Sequence, residues 1–231
     1  MTTHSLTATT PAPGSRRTQG ERSQAMRKRL LAATLQCLAE DGYNGATLSS
    51  IVRRAGVSRG AQVHHYPNKQ ALMLDAADDL FRRTYRTLGE LMLSIAEESN
   101  RLQALVDALW EQVFAAPFYR AYMELLIASQ RDTAMRQALE ALLARQIAVF
   151  EIAIDHYFES VPGAEQDIRP LFIQLYLMLT GLASHAHLLP GSKTVQTYLR
   201  RWVKQTSVHM RARKGVRSPP PRPENWAVQH Q

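Results

Sequence analysis

Cysteine is almost absent from the 231-residue sequence, since Cys37 stands alone. One thiol cannot form an intrachain disulfide or a cysteine-based zinc cluster, which excludes a disulfide scaffold and suits a reducing compartment. Cys37 belongs to a helix expected to pack internally, so we expect an inert buried thiol. The histidine pairs His64/His65 and His185/His187 point in different directions on a helix and cannot chelate one ion. We therefore expect neither a metal site nor a cofactor.

Long hydrophobic runs are missing as well. The first twenty residues contain no apolar run after a charged start, so they do not resemble a secretory signal. The most apolar stretch, from Leu171 to Leu189, is interrupted by Gln174, Thr180, His185 and His187. It is better interpreted as a buried helix than as a membrane span, and we expect a cytoplasmic protein.

Catalytic patterns are not visible either. The glycines lie at predicted helix ends, no loop is suited to cradle a phosphate, and no nucleophile stands beside an evident base and oxyanion donors. A helical hydrolase or transferase is thus a weak hypothesis, and we predict that the protein is not an enzyme. A helical small-molecule-binding protein, or an adaptor that holds an acidic partner with its basic tail, stays open as an alternative.

Charge is present but unevenly placed. Residues 1–75 contain 10 basic and 4 acidic side chains, residues 76–199 contain 10 and 15, and residues 200–231 contain 8 and 1. A basic N-terminal module would attract a polyanion such as DNA, whereas an acidic body would not. Ordinary solubilising charge explains the asymmetry equally well.

Apolar residues recur at spacings of three and four through most of the chain, and alternation with a period of two is lacking, which predicts an all-α protein. Residues 1–20 and the basic, Pro-rich residues 211–231 are expected to be disordered tails. Glycine, proline and capping residues divide the rest into helices. The predicted helices cover about 23–40, 47–55, 58–65, 69–97, 101–115, 118–130, 133–159, 166–188 and 193–210.

The segment from Thr47 to Tyr66 is the most informative. Thr47 suits a helix N-cap, and an apolar stripe at i, i+3, i+4 and i+7 follows it, formed by Leu48, Ile51, Val52 and Ala55. Gly56 can adopt the positive φ of a tight reversal, Val57 fills the corner, and Ser58 can cap the next helix. This pattern is typical of a helix-turn-helix, whose second helix enters the major groove of DNA. A helical hairpin that merely packs is the alternative.

Arg59 is the strongest candidate to contact a base, because arginine can bind guanine O6 and N7 with two hydrogen bonds. Gln62 could bind adenine in the same way if it faces the groove. His64, His65 and Lys69 stand where phosphate contacts are expected.

Residues 23–83 resemble the tetracycline-repressor (TetR) family. The resemblance rests on the following residues: Leu30-Leu-Ala-Ala, Gly42-Tyr43, Thr47, Ile51, Ala55-Gly-Val-Ser58, Gly60, His65-Tyr-Pro-Asn-Lys69 and Leu72. Two positions depart from the family pattern: Val63 replaces a common aromatic residue that touches the DNA backbone, and Gln62 replaces a common buried leucine.

The resemblance implies a three-helix helix-turn-helix domain over residues 21–83 and a helical effector-binding and dimerisation domain over residues 84–210. It also implies a homodimeric repressor that binds a palindromic double-stranded operator and responds to a small-molecule effector. The DNA-binding residues expected on this basis are Thr47, Ser49, Ser58, Arg59, Gly60, Gln62, Val63, His64, His65 and Lys69.

The C-terminal half has no local motif of its own. Aromatic and flexible residues suggest an apolar effector pocket, although an ordinary core explains each of them as well. The candidates are Trp110, Phe114, Phe118, Tyr122, Met123, Ile127, Phe150 and Tyr157. The last two helices are expected to pair with their symmetry mates, and the residues suited to this are Leu171, Leu175, Met178, Gly181, Leu182, Ala183 and Ala186. Burial within one chain is the alternative.

Overall fold

A computed structural model describes residues 18–95, 100–164 and 166–221 of the chain. Most of the two predicted tails, residues 1–17 and 222–231, lies outside these ranges. The all-α prediction is confirmed in its main outline, since the described residues form nine α-helices.

The helices begin and end close to the predicted breaks. They are α1 Gln19–Gly45, α2 Leu48–Ala55, α3 Arg59–His65, α4 Lys69–Ser94, α5 Arg101–Leu109, α6 Pro117–Ser129, α7 Thr133–Tyr157, α8 Arg169–His185 and α9 Ser192–Thr206. Helix α5 continues into a π-helical turn, Trp110–Phe114, and α8 continues into a 3₁₀ turn, Ala186–Leu188. The predicted end of α1 at Gly42 corresponds to a kink, where glycine adopts a φ of 70°.

Helices α1 to α4 enclose a first hydrophobic core, which α6 and the start of α7 complete. Leu30, Leu38, Ile51, Leu72 and Met73 are fully buried in it. Burying a leucine-sized side chain stabilises a fold by roughly 1.5–3 kcal/mol. The core therefore fixes the two short helices, which could not be stable alone.

A second core lies among α4 to α9 and contains aromatic residues from several helices. Phe114 and Tyr119 pack with ring centroids 4.6 Å apart, and Phe158 packs on Phe172 at 5.2 Å. Helix α4 contributes to both cores, with Leu72 in the first and Leu88 in the second.

A short antiparallel sheet was not predicted. Strand β1, Phe158–Ser160, pairs with strand β2, Met210–Ala212, so the predicted helical ends at 159 and 210 are wrong by a few residues. The predicted disorder from residue 211 is wrong for the start of that segment, because Arg213 donates its backbone N–H to the Tyr157 carbonyl at 2.8 Å. The chain from Met210 to Pro221, here called the C-terminal strap, runs along the end of α7.

Candidate nucleic-acid interface and ligand cavity

Side-chain caps fix the geometry of α2 and α3. Thr47 Oγ1 accepts a hydrogen bond from the Ser50 N–H at 3.1 Å, and Ser58 Oγ accepts one from the Ala61 N–H at 3.2 Å. Gly56 ends α2 in the left-handed conformation, with φ 61° and ψ 41°, which a residue with a side chain rarely adopts. The turn between the helices therefore has the predicted helix-turn-helix form.

The outer face of α3 is open to solvent. Arg59, Gly60, Val63 and His64 are exposed there, and Val63 is 59% exposed. Within the described ranges, the Arg59 guanidinium has no hydrogen bond or ion pair. A cation and an apolar side chain thus project from a rigid helix with no competing partner, as major-groove contact requires.

Tyr66, at the end of α3, ties the short helix to the rest of the module. Its hydroxyl donates to Asp75 Oδ2, and Arg27 donates to both oxygens of the same carboxylate, at 3.0 and 2.6 Å. The three groups join α1, α3 and α4. Burial and the Asp75 carboxylate raise the pKa of the Tyr66 hydroxyl, which stays protonated and donates.

Tyr43 lies at the junction between this module and α6. Its backbone N–H donates to Glu124 Oε2 at 2.9 Å, and its carbonyl accepts from Lys69 Nζ. The Lys69 ammonium also lies 4.1 Å from the centre of the Tyr43 ring. A Cβ on Gly42 would stand 3.1 Å from Glu124 Oε2, so glycine permits the close approach.

A cavity of about 360 Å³ lies in the second half of the molecule. Helices α4 to α8 line it with predominantly apolar side chains, and Pro220 of the C-terminal strap contributes to its wall. Phe150 meets Phe81 edge-on, with centroids 5.5 Å apart and the rings at 80°. The volume falls within the range of small-molecule sites, roughly 300–1,000 Å³.

The chain is similar to known bacterial regulators. Residues 30–76 match the family model described as bacterial regulatory proteins, tetR family. The repressor AcnR of Corynebacterium efficiens is 35% identical over 133 residues, which are 54% of this chain and 68% of AcnR. The regulator CymR of Pseudomonas putida is 32% identical over 136 residues, which are 59% of this chain and 66% of CymR. The chain belongs to the TetR family.

The fold agrees with that of solved TetR-family regulators. A regulator from Mesorhizobium loti superposes with a TM-score of 0.62 at 15% identity, covering 81% of this chain and 98% of that one. Like other members, this TetR-family protein is a transcriptional regulator with a DNA-binding helix-turn-helix.

Most of the predicted DNA-binding residues of this TetR-family regulator lie at the surface. Thr47, Ser49, Ser58, Arg59, Gly60, Val63 and His64 are exposed, and His65 is half-buried. Their contacts with DNA stay a prediction. Two further basic residues lie beside the turn: Arg53 is exposed in the last turn of α2, and Arg29 reaches the Gly56 carbonyl at 3.5 Å. Their positions beside the turn could have indicated phosphate contacts.

The structure places the Gln62 side chain away from the DNA-binding surface. Its side chain is only 1% exposed and faces the core, where Nε2 donates to the Tyr66 carbonyl at 2.7 Å. The buried Oε1 has no hydrogen-bond partner. Gln62 therefore cannot bind adenine in this conformation, and it occupies the inward position that the family gives to leucine.

Lys69 also differs from the expectation of a free phosphate ligand. Its ammonium is half-buried against Tyr43, and burial lowers its pKa. In this TetR-family structure the side chain braces the junction between α1 and α4, so a phosphate contact would require it to leave the Tyr43 carbonyl.

Five of the eight predicted effector residues line the cavity, namely Phe114, Phe118, Tyr122, Phe150 and Tyr157. Trp110 and Met123 pack in the second core outside the lining, and Ile127 is 55% exposed, so the structure does not bring these three to the cavity. The prediction also missed the wall that α4 contributes. Its lining residues, Ala77, Phe81, Thr84, Leu88 and Met92, recur at helical spacing, a signal visible in the sequence.

The outer face of α8 exposes an apolar stripe at i, i+4, i+8 and i+15. The stripe consists of Ile173, Leu177 and Gly181 of α8 and Leu188 of the 3₁₀ turn, with Leu177 61% exposed. Ile173 and Leu177 also border the cavity. Of the residues predicted for subunit contact, Gly181 lies on this face, whereas Leu175 is buried in its own chain. Among the described residues, Arg169–Leu188 is one helix long and apolar enough to span a membrane by length and composition.

Cys37 is buried in the first core, as predicted. Burial raises the pKa of its thiol, which disfavours the reactive thiolate.

Proposed function

We propose that this TetR-family regulator is a repressor that binds a palindromic operator as a homodimer and releases it when a small molecule binds. The observation that carries the proposal is the capped, rigid α3, which presents an unpaired Arg59 and an exposed Val63 to solvent. The similarity to AcnR, which is named a transcriptional repressor, supports the direction of regulation. Acting on chromosomal DNA, the protein would work in the cytoplasm.

Arg59 would bind guanine in the major groove, and Val63 would contact a thymine methyl group. Ser58, His64 and Arg53 would hold phosphates beside these bases. The base contacts give sequence preference, whereas the phosphate contacts fix the position of the helix without reading sequence.

The α8 stripe would form the subunit interface. Large exposed apolar side chains at helical spacing suit a helix that packs on its symmetry mate. In α9, Val195, Leu199 and Val203 are buried in their own chain and Tyr198 is 48% exposed, so α8 would supply most of the apolar contact. In a dimer of this kind, two recognition helices about 34–36 Å apart meet successive major grooves.

Helices α4 and α6 would couple the cavity to the DNA-binding module. Helix α6 lines the cavity with Phe118 and Tyr122 and holds the Tyr43 N–H with Glu124. Helix α4 lines the cavity along its length and begins at Lys69, which binds the Tyr43 carbonyl. A ligand that shifts either helix would therefore displace the end of α1 and the spacing of the recognition helices.

A gel-shift titration of the protein against its own upstream intergenic DNA tests the proposal. We expect tight binding that Arg59→Ala weakens by about 1–3 kcal/mol, and weak binding to scrambled DNA at the same salt concentration. Equal affinity for both DNAs would show that binding depends on charge and not on sequence, which would contradict operator recognition. Sedimentation of Leu188→Glu, which we expect to be monomeric, tests the interface separately, because Leu188 lies outside the cavity lining.

A further inference from the structure

Charged groups are confined to the rim of the cavity. Glu151 and Arg169 are the charged side chains of its lining, and both are partly exposed to solvent. Arg169 is also engaged, since its guanidinium lies 2.6 Å from the Asp155 carboxylate. An ionised ligand in the interior would leave water and find no partner of opposite charge, which is strongly unfavourable.

Three tyrosine hydroxyls of the wall, those of Tyr119, Tyr122 and Tyr176, have hydrogen-bond partners within the protein. The Tyr119 hydroxyl lies 2.9 Å from Thr180 Oγ1, and the Tyr122 and Tyr176 hydroxyls lie 3.4 Å apart. The Tyr157 hydroxyl has no partner, but its oxygen is sealed from the cavity space.

Gln146, on α7, places a side-chain amide in the wall of the cavity. It lines the cavity, it is only 8% exposed, and within the described ranges nothing forms a hydrogen bond with its amide. Its amide is not sealed within the protein, and each of its atoms could form a hydrogen bond with a polar group inside the cavity.

We propose that the effector is an uncharged aromatic molecule of about two rings, with one hydroxyl or carbonyl group that forms a hydrogen bond with Gln146. The inference rests on the proposed function, because it specifies the ligand of the same cavity. Phe81, Phe118 and Phe150 offer edges and faces against which an aromatic ring packs well. The volume of about 360 Å³ is roughly twice that of a cavity known to accept benzene.

Equilibrium dialysis with three probes of one shape tests the ligand class. The probes are 2-naphthol, naphthalene and 2-naphthoate, measured at neutral pH with the full chain. We expect 2-naphthol to bind about three- to tenfold more tightly than naphthalene, as one net hydrogen bond allows. 2-Naphthoate should bind more weakly than either. Equal or tighter binding of the carboxylate, or binding of none of the three, would overturn the proposal.

The variant Gln146→Leu tests the residue, with Gln137→Leu, at an exposed position of the same helix, as the matched control. We expect Gln146→Leu to remove the preference for 2-naphthol over naphthalene while it keeps naphthalene binding, and Gln137→Leu to change neither. A preference that survives in Gln146→Leu would overturn the role of Gln146. Operator binding, measured in parallel, separates this failure from a failure of the proposed function, because it does not depend on the probes.

Discussion

Replacing Gln62 with leucine discriminates between two roles for this residue. The glutamine Oε1 is buried without a partner, and relieving such a group recovers about 1–3 kcal/mol. The buried Tyr66 carbonyl loses its side-chain donor, which costs about 1–3 kcal/mol, and burial of the leucine side chain contributes roughly 1.5–3 kcal/mol in return. We therefore expect Gln62→Leu to increase the free energy of unfolding by about 1 kcal/mol, which raises Tm by roughly 2–4 °C in a chain of this size.

Thermal unfolding and fluorescence anisotropy with labelled operator DNA measure the two effects side by side. Gln62→Leu should bind the operator within twofold of the wild type, because its side chain does not reach the surface. Val63→Ala, one residue further along α3, should show the opposite pattern of weaker DNA binding at nearly unchanged stability. A loss of operator affinity in Gln62→Leu at unchanged Tm would refute the inward orientation of Gln62.

Three further predictions concern other parts of the molecule. Tyr66→Phe removes the hydroxyl bound to Asp75 and should lower stability by about 1 kcal/mol in urea unfolding; an unchanged midpoint would contradict the role of this contact. Burial raises the pKa of Tyr66, Tyr119 and Tyr122, so their contribution to stability is complete below the unfolded pKa of about 10 and is lost at higher pH. Absorbance at 295 nm, which reports tyrosine ionisation, should therefore show Tyr66, Tyr119 and Tyr122 ionising only when the protein unfolds at alkaline pH. Ionisation of all eight tyrosines near pH 10 in the folded protein would contradict this. Truncation after Ala212 removes the Arg213 hydrogen bonds to Tyr157 and Phe158 and should cost about 2 kcal/mol with operator affinity unchanged, whereas Lys214→Ala should be neutral; equal stability of the truncated and full chains would show that the part of the C-terminal strap beyond Ala212 contributes nothing.

The local features of the helix-turn-helix could be predicted because short-range chemistry determines them. Thr47 and Ser58 cap their helices through bonds to residues three positions ahead, and Gly56 satisfies a backbone angle. Pro67 separates α3 from α4, because proline disfavours the helical conformation in the residue before it. Each of these constraints acts within a few residues, so a single sequence is sufficient to show them.

The orientation of α3 could not be predicted from polarity. Gln62 and Val63 are adjacent, and their polarity suggests the reverse of the observed burial, with valine inward and glutamine outward. Position 62 lies on the side of α3 that faces the core, and the Gln62 amide bonds to the Tyr66 carbonyl there. The position of the residue, rather than its polarity, therefore determines its burial.

The ligand domain was predicted less well because its features depend on distant residues. Strands β1 and β2 have three residues each and pair across some fifty residues of chain, which leaves no local signal. In α8, the sequence suggested Leu175 for the outer face, but apolar residues surround the whole helix and only packing decides that Ile173 and Leu177 face outward.

Base recognition by Arg59 is the central claim, and anisotropy titrations against operators with single base-pair substitutions test it most directly. Arg59→Ala should lose about 1–3 kcal/mol of discrimination at one position in each half-site. Arg53→Ala should weaken binding to all of these operators alike. It should also reduce the slope of log association constant against log salt concentration by about 1. Uniform weakening in Arg59→Ala, indistinguishable from that in Arg53→Ala, would contradict base recognition and reduce Arg59 to a phosphate contact.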